Sequence, residues 1–303
     1  VRISVVIPAY KAEAFIAETL RSVLAQTHPV HEILVVDDGS PDRSAEVAER
    51  FGPPVRVLRQ PNAGVSTARN TALEVASGEA VAFLDADDLW EPRKLEMQCA
   101  YLAAHPDVGA VAASFVVFGE GIPRREVLMD DAALRALQPI DFVASPRVHP
   151  STLLCRREAM RGARFPDGIG DGEDPIYAAQ IRVNAPIGAV QEVLMHRREH
   201  PGQATRAASH FARGVQARLR WAQEHCALLG LPRDVVTRKM FEEAANDVLA
   251  RYWTRDLDEY RSMREQLLTL WPEGEPIPDP LRAPIPPRPL LRLKDWLDSI
   301  RGK

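Results

Sequence analysis

Cysteine is scarce in this chain. Three occur among 303 residues (Cys99, Cys155 and Cys226), too scattered and too odd in number for a disulfide framework or a metal cluster. A reducing compartment is the expectation. Basic charge is not in excess either: the formal net charge is −4, so nothing recommends nucleic acid as a partner. No apolar run reaches the roughly 18 residues that a membrane span needs. Internal repeats are absent. The chain opens on Val1 without Met, basic n-region or cleavage-site pattern, so the numbering is expected to begin just inside the gene product. A cytoplasmic protein is expected, with a peripheral place at the inner face of the membrane as the alternative. What is present, 46% hydrophobic and 26% charged residues, is ordinary for a soluble chain of one large or two modest domains.

The first half alternates strand and helix patterns at short intervals. Strands are predicted at Ile3–Ile7, Ile33–Val36, Val55–Leu58 and Ala80–Leu84. Between them, helices are predicted at about Ala12–Gln26, from an Ser40-Pro41 start through about Phe51, and at about Val65–Val75. The first helix carries Phe15, Ile16, Leu20, Val23 and Leu24 on one stripe. No hairpin signal separates the strands, so βαβ units and a doubly wound parallel sheet follow. Further on, Pro92–His105 reads as a helix, and Val108–Phe118, Thr152–Cys155 and Ile187–Met195 as strands. The pattern is helical from about Ala207 to Leu270. In Pro272–Pro289, 8 of 18 residues are proline, which favours an extended linker. Leu290–Ile300 then places Leu290, Leu293, Trp296, Leu297 and Ile300 on one helical face.

Three motifs fall where such a sheet binds its ligands, at the carboxyl ends of strands. Val81-Ala82-Phe83-Leu84 runs straight into Asp85-Ala86-Asp87-Asp88. If the chain stays extended there, Asp85 and Asp87 point the same way and make a hard oxygen site for Mg²⁺ or Mn²⁺. Val35-Val36-Asp37-Asp38-Gly39-Ser40 ends the second strand in two carboxylates. Asp38 can accept from a base N–H or a ribose hydroxyl, or the pair can cap the following helix. Asn62-Ala63-Gly64-Val65-Ser66-Thr67-Ala68-Arg69-Asn70 is a polar helix entry, with Arg69 about two turns in.

Together with Val5-Val6-Ile7-Pro8-Ala9-Tyr10, these motifs closely resemble the N-terminal half of family-2 glycosyltransferases of the GT-A fold, in order, spacing and wording, across about residues 3–105. The resemblance implies a bacterial-type, inverting, metal-dependent enzyme. It would move a hexose-type sugar from a nucleoside diphosphate, most often uridine, to an acceptor hydroxyl in polysaccharide or glycoconjugate synthesis. It implies that Pro8, Tyr10, Asp38 and Arg69 hold the nucleoside. Asp85 and Asp87 would serve the ribose–diphosphate end, with Asp87 the direct ligand of Mn²⁺ or Mg²⁺. The expected acceptor is a glycan or a lipid-linked glycan.

The second half of the site matches more loosely. In the family an acidic pair opens a helix after a Gly-rich loop, and its aspartate is the catalytic base. Gly170-Asp171-Gly172-Glu173-Asp174-Pro175-Ile176-Tyr177 fits, making Asp174 the base beside Glu173, with Asp171 and Asp167 as rivals. A helix N-terminus favours the ionised carboxylate. His196-Arg197-Arg198-Glu199-His200 spells a zinc-peptidase string, but that string works only on a helix, and here a strand pattern precedes it and Pro201-Gly202 follows. Arg198 through Thr205 is instead similar to the segment that closes over the donor diphosphate, with Arg198 neutralising phosphate and His200 a further metal ligand. His149-Pro150-Ser151-Thr152 lies where such enzymes build the acceptor pocket.

The expected organisation is a GT-A, Rossmann-like α/β domain at 1–205, a helical extension at 206–271, and a linker with a terminal amphipathic helix at 272–303. That helix, among Arg288, Arg292, Lys294, Arg301 and Lys303, suits either a peripheral membrane contact or packing on its own domain or in a homodimer. Two other readings stay open. One is a non-catalytic sugar-nucleotide-binding or polysaccharide-assembly protein of the same fold. The other is a nucleotidyltransferase, although no G-x-x-x-x-G-K-S/T string is present.

Overall fold

A computed structural model describes residues 1–169, 171–200, 210–253, 256–274 and 276–282. The predicted terminal helix at 290–300, Gly170 and the Pro201–Thr205 end of the arginine–histidine segment lie outside the described residues. The chain opens as β1 (Ile3–Ala9), α1 (Ile16–Leu24), β2 (Glu32–Asp38), α2 (Ser44–Glu49), β3 (Val55–Gln60), α3 (Val65–Val75) and β4 (Ala80–Phe83). It continues through β5 (Leu89–Trp90), α4 (Lys94–Ala104), the hairpin β6 (Ala110–Gly119) and β7 (Ile122–Val127), α5 (Asp131–Ala136) and α6 (Pro139–Ala144). A 3-10 turn at Pro150–Thr152 leads into β8 (Leu154–Arg156), α7 (Glu173–Asn184) and β9 (Ile187–Arg198). The remaining helices are α8 (His210–Glu224), α9 (Cys226–Leu229), α10 (Arg233–Trp253), α11 (Leu257–Leu270) and α12 (Asp279–Arg282).

One mixed sheet has the order β3-β2-β1-β4-β8-β6-β9-β5, with β7 on β6. Its first four strands are parallel and joined by helices, as their apolar runs predict. Beyond them β8 pairs antiparallel with both β4 and β6, while β9 runs parallel to β6. Successive residues of each strand feed opposite faces. Val6, Leu34, Val36, Val81 and Phe83 join the core under α3, α6 and α7. Val5, Ile7, Ile33, Val35, Ala82 and Leu84 join the core under α1 and α4. Burial on both faces explains why these strands lack a polar alternation.

Differences from the sequence pattern have local causes. The α2 helix starts at Ser44 and not at Ser40-Pro41, because Asp42 turns back to accept from the Ser44 N–H and from Glu13 N–H, and Ser44 Oγ accepts from Ala12 N–H. Leu24, placed on the apolar stripe of α1, is exposed. Within the proline-rich stretch, Asp279–Arg282 forms a helical turn, and Leu281 is buried in a third core shared by α8, α10 and α11. No helix among the described residues is long and apolar enough to cross a membrane.

Candidate active site

The order β3-β2-β1-β4 reverses direction between β1 and β4, and the crevice outside their carboxyl ends is where such sheets take ligands. Pro8 lies buried in β1 opposite Val36, and Tyr10, just past the strand, is 48% exposed at its rim. Lys11 follows with φ of 53°, a conformation L residues seldom adopt, and its ammonium lies over the Tyr10 ring at 5.1 Å. Asp38 is buried, and its carboxylate accepts from the N–H groups of Ala63 (2.9 Å) and Gly64 (2.8 Å) and from Gln60 Nε2 (2.7 Å). It therefore shapes the loop entering α3. Asp37 keeps one buried carboxylate oxygen with no hydrogen-bond partner among the described residues.

Leu84 follows β4, and there the chain does not stay extended. Asp88 N–H bonds back to Asp85 O at 3.1 Å, making a turn that sends the three carboxylates different ways. Asp85 faces Arg69. Asp87 Oδ2 faces His200 Nε2 at 3.0 Å. Asp88 is 1% exposed, with Oδ1 accepting from Arg198 N–H and Oδ2 without a hydrogen-bond partner among the described residues. Burial, and then the Asp85 and Asp87 charges, push the Asp88 carboxyl well above its usual range. His149 lies 3.9 Å from Asp85 and 4.0 Å from Asp88, and burial lowers its pKa to about 4, so it is neutral at pH 7. Ligand atoms of Asp85, Asp88 and His149 sit within 4.8 Å of one another. This oxygen-rich set, with an orphaned buried carboxylate oxygen, suits a hard divalent cation.

Arg198 occupies an unexpected place. Its guanidinium lies between the rings of Phe15 (5.2 Å) and Phe118 (4.7 Å), donates to Asp87 O at 2.9 Å, and reaches Glu18 at 2.6 Å. These contacts fix the Asp87 turn from behind. His196 pairs with Glu91 in the strand, so the two histidines of the peptidase-like string do separate jobs.

The two halves of the site meet at Arg69. From α3, its buried guanidinium donates to Asp85 at 2.8 Å and to Asp174 at 2.6 Å, with Glu173 at 3.6 Å. Three carboxylates outweigh the burial that would lower its pKa, so it stays charged. Asp174 is raised to about 8, first by burial and then by Glu173 and Asp85, against the pull of Arg69. This reverses the helix-dipole expectation of a carboxylate fully ionised at pH 7. Still, 27% of the Asp174 side chain faces the cleft. Glu173 is raised too, again mainly by burial. Beneath them Tyr177 of α7 stacks on Phe165 at 3.9 Å, and Phe83 of β4 meets both rings edge-on at 5.4 and 5.5 Å. This packing ties α7 to the strand that delivers Asp85. The rival bases are engaged elsewhere: Asp167 with Thr67 and Asn70, and Asp171 with His210 and Arg213 of α8.

The sequence names the strand-end acids and the acidic pair, but gives no role to Asp88 or Glu18 and places His149 toward the acceptor pocket, not beside the strand-end acids. A third acid directly after the D-x-D of Asp85-Ala86-Asp87 is the available signal for Asp88.

A profile of the family described as Glycosyl transferase family 2 matches residues 4–162. Over 102 residues the chain is 43% identical to UDP-Glc:alpha-D-GlcNAc-diphosphoundecaprenol beta-1,3-glucosyltransferase WfgD of Escherichia coli, covering 33% of this chain and 40% of that one. The chain spans less than half the length of the curated relatives it matches. Among solved structures, S. aureus TarS 1-349 in complex with UDP-GlcNAc superposes with a TM-score of 0.65 at 18% identity, over 90% of this chain and 82% of that one. The mannosyltransferase PcManGT from Pyrobaculum calidifontis, in complex with GDP-Man and Mn2+, gives 0.57 at 23% identity, over 90% and 88%. These likenesses establish the GT-A fold that the motifs imply.

Proposed function

Because the chain belongs to glycosyl transferase family 2, we propose that it transfers a sugar from a nucleoside diphosphate to an acceptor hydroxyl, with inversion at the anomeric carbon, in cell-surface glycan synthesis. One observation carries this reading: Arg69 joins Asp85, at the donor end of β4, to Asp174, at the start of α7, across a single cleft.

In this reading the nucleoside lies over the β1–β4 crevice, its base against Tyr10 with the spare Asp37 oxygen as an acceptor, while Pro8 and Asp38 shape the floor. Asp85 meets the ribose–diphosphate end. Arg198 serves the phosphates by fixing the turn that carries Asp87. Asp87 and His200, with Asp85, Asp88 and His149 beside them, would hold Mn²⁺ or Mg²⁺, which offsets the charge of the diphosphate. Asp174 takes the proton of the acceptor hydroxyl as its oxygen bonds to the sugar C1; the C1–O bond to the diphosphate breaks and its electron pair leaves with the phosphate oxygen. A base with a pKa near the working pH combines an available carboxylate with a real affinity for the proton. Arg69 holds that base in place, while burial and the Glu173 charge beside it raise its affinity for the proton.

Uridine is the favoured base, supported by WfgD and the TarS complex, whose names specify UDP-Glc and UDP-GlcNAc. WfgD, named for a diphosphoundecaprenol-linked acceptor, likewise supports a lipid-linked glycan as the acceptor here. The test is a thermal-shift screen of UDP-, GDP- and dTDP-sugars with and without Mn²⁺, followed by donor hydrolysis without acceptor. A metal-dependent rise in Tm for a nucleotide sugar, with slow release of nucleoside diphosphate, is expected. Binding without hydrolysis would favour the non-catalytic sugar-nucleotide protein, and a response only to triphosphates the nucleotidyltransferase.

A further inference from the structure

The base proposed above sits in the first turn of α7, directly after a loop that the sheet alone does not fix. Asp171, 7% exposed, accepts from Arg213 Nε at 2.5 Å on one oxygen and pairs with His210 Nδ1 on the other. Gly172, the residue before α7, has φ of 95° and ψ of 12°. A Cβ there would lie 2.9 Å from Arg218 Cγ and 3.1 Å from Gly214 O. The loop is therefore pressed against α8 at two consecutive residues immediately before Glu173 and Asp174. The helix itself is anchored: Arg218, 4% exposed, donates to Val143 O at 2.9 Å and Ala144 O at 2.8 Å, at the end of α6. Trp221 and Ala222 of α8 join the core beneath α7. All of these α8 residues lie beyond the segment that the family profile matches.

We propose that α8 clamps the acidic loop, with Asp171 as a positioning residue held by His210 and Arg213, so that the helical extension sets where Asp174 meets the acceptor. This rests on Asp174 being the base. A base shifted by about 1 Å loses about 10²-fold in rate while the distant nucleoside pocket is undisturbed. The signature is therefore a loss in turnover without a loss in donor binding. Asp171 is not the proton acceptor in this arrangement, because both of its oxygens are turned toward α8.

The experiment uses the full chain and its variants Asp171→Asn, Arg213→Ala, Arg213→Lys, Gly172→Ala, Asp174→Asn and the double Asp171→Asn/Arg213→Ala. Binding is read by calorimetry with UDP and Mn²⁺. Turnover is read as hydrolysis of UDP-glucose, UDP-N-acetylglucosamine or GDP-mannose, whichever the parent chain cleaves fastest. Hydrogen exchange is followed over residues 172–176. Expected are unchanged UDP affinity, hydrolysis slowed about 10- to 100-fold in Arg213→Ala, Asp171→Asn and Gly172→Ala, and recovery in Arg213→Lys. The double variant should be no slower than the worse single, since both remove one interaction. Faster exchange over 172–176 in Arg213→Ala should accompany the loss. Parent-like hydrolysis and exchange in Arg213→Ala overturns the clamp. An inactive Asp171→Asn beside a near-normal Asp174→Asn overturns both the base assignment and the positioning role. Should the parent chain hydrolyse none of the three donors, the transferase reading is what fails, and exchange alone then decides the clamp.

Discussion

At the end of β4, Asp85, Asp87 and Asp88 crowd into one turn, with the imidazoles of His149 and His200 beside them. At the start of α7, Asp171, Glu173 and Asp174 form an equally acidic cluster, but the protein meets it with Arg69 from one side and with His210 and Arg213 from the other. Arg69 is shared, since it also donates to Asp85, but Asp88 of the first cluster keeps a carboxylate oxygen without a hydrogen-bond partner among the described residues, whereas the second adds His210 and Arg213 to Arg69. That difference assigns the work. A buried carboxyl such as Asp88, forced toward its protonated form by burial and by two neighbouring carboxylates, is an invitation to a cation. Carboxylates already matched by arginine are held in place, and their proton affinity is set by burial.

The sharpest way to break this contrast is to neutralise one acid from each cluster. Asp174→Asn should slow transfer by about 10²–10⁴-fold, the usual share of a positioned general base, and leave UDP–Mn²⁺ affinity intact. Side-by-side kinetics and calorimetry check it. Loss of nucleotide affinity in this variant would move Asp174 into the donor pocket and erase the distinction.

Asp87→Ala should do the reverse, weakening metal-dependent nucleotide binding by about 100-fold, because even an outer-shell partner of a metal typically contributes 10–100-fold. The fold should survive, since Asp87 lies on a turn with a quarter of its side chain open, 24% by area. Calorimetric titration of UDP with and without Mn²⁺ would show it. An unaltered Mn²⁺ response would leave Asp85, Asp88 and His149 as the cation site.

A smaller effect separates the clusters by pH. Burial raises the Asp174 carboxyl to about 8, and the base form is the deprotonated one. Turnover at saturating donor should then climb about tenfold per pH unit from pH 6 and level off above about 8. The profile of kcat in the parent chain is the measurement. A plateau already reached at pH 5.5 would mean that Arg69 keeps Asp174 ionised throughout.

How much of this was legible without coordinates differs between the clusters for a physical reason. The parallel strands announce themselves as apolar runs, and the acids that end them are local in sequence. What Arg69 does was not legible: its partner Asp174 lies 105 residues away, and no periodicity links them. The two phenylalanine rings around Arg198 were not legible either, since only packing reveals them. The hairpin strand β7 and the short helices α5 and α6 escaped notice because they are brief. β7 is largely exposed, without an alternating apolar face. The turn at Asp85–Asp88 defeated the assumption of an extended chain, which a strand pattern cannot test beyond its own end.

The smallest expected effect tests whether arginine or packing aligns the two clusters. Phe165 is 1% exposed, stacked on Tyr177, edge-on to Phe83 and 4.9 Å from the Arg69 guanidinium. Phe165→Leu keeps an apolar side chain but removes both ring contacts, each worth about 0.5–1.5 kcal/mol beyond burial. A loss of about 1–3 kcal/mol in stability follows, read as a Tm lower by a few degrees. Arg69 should retain its hydrogen bonds to Asp85 and Asp174, because both acceptors stay in place when the ring is lost. Turnover should therefore fall by no more than about threefold, roughly 0.6 kcal/mol of barrier. A drop approaching that of Asp174→Asn would show that the aromatic stack, and not the arginine, holds the base against the donor acids. The contrast between a cluster awaiting a cation and a cluster carrying its own would then need restating in terms of core packing.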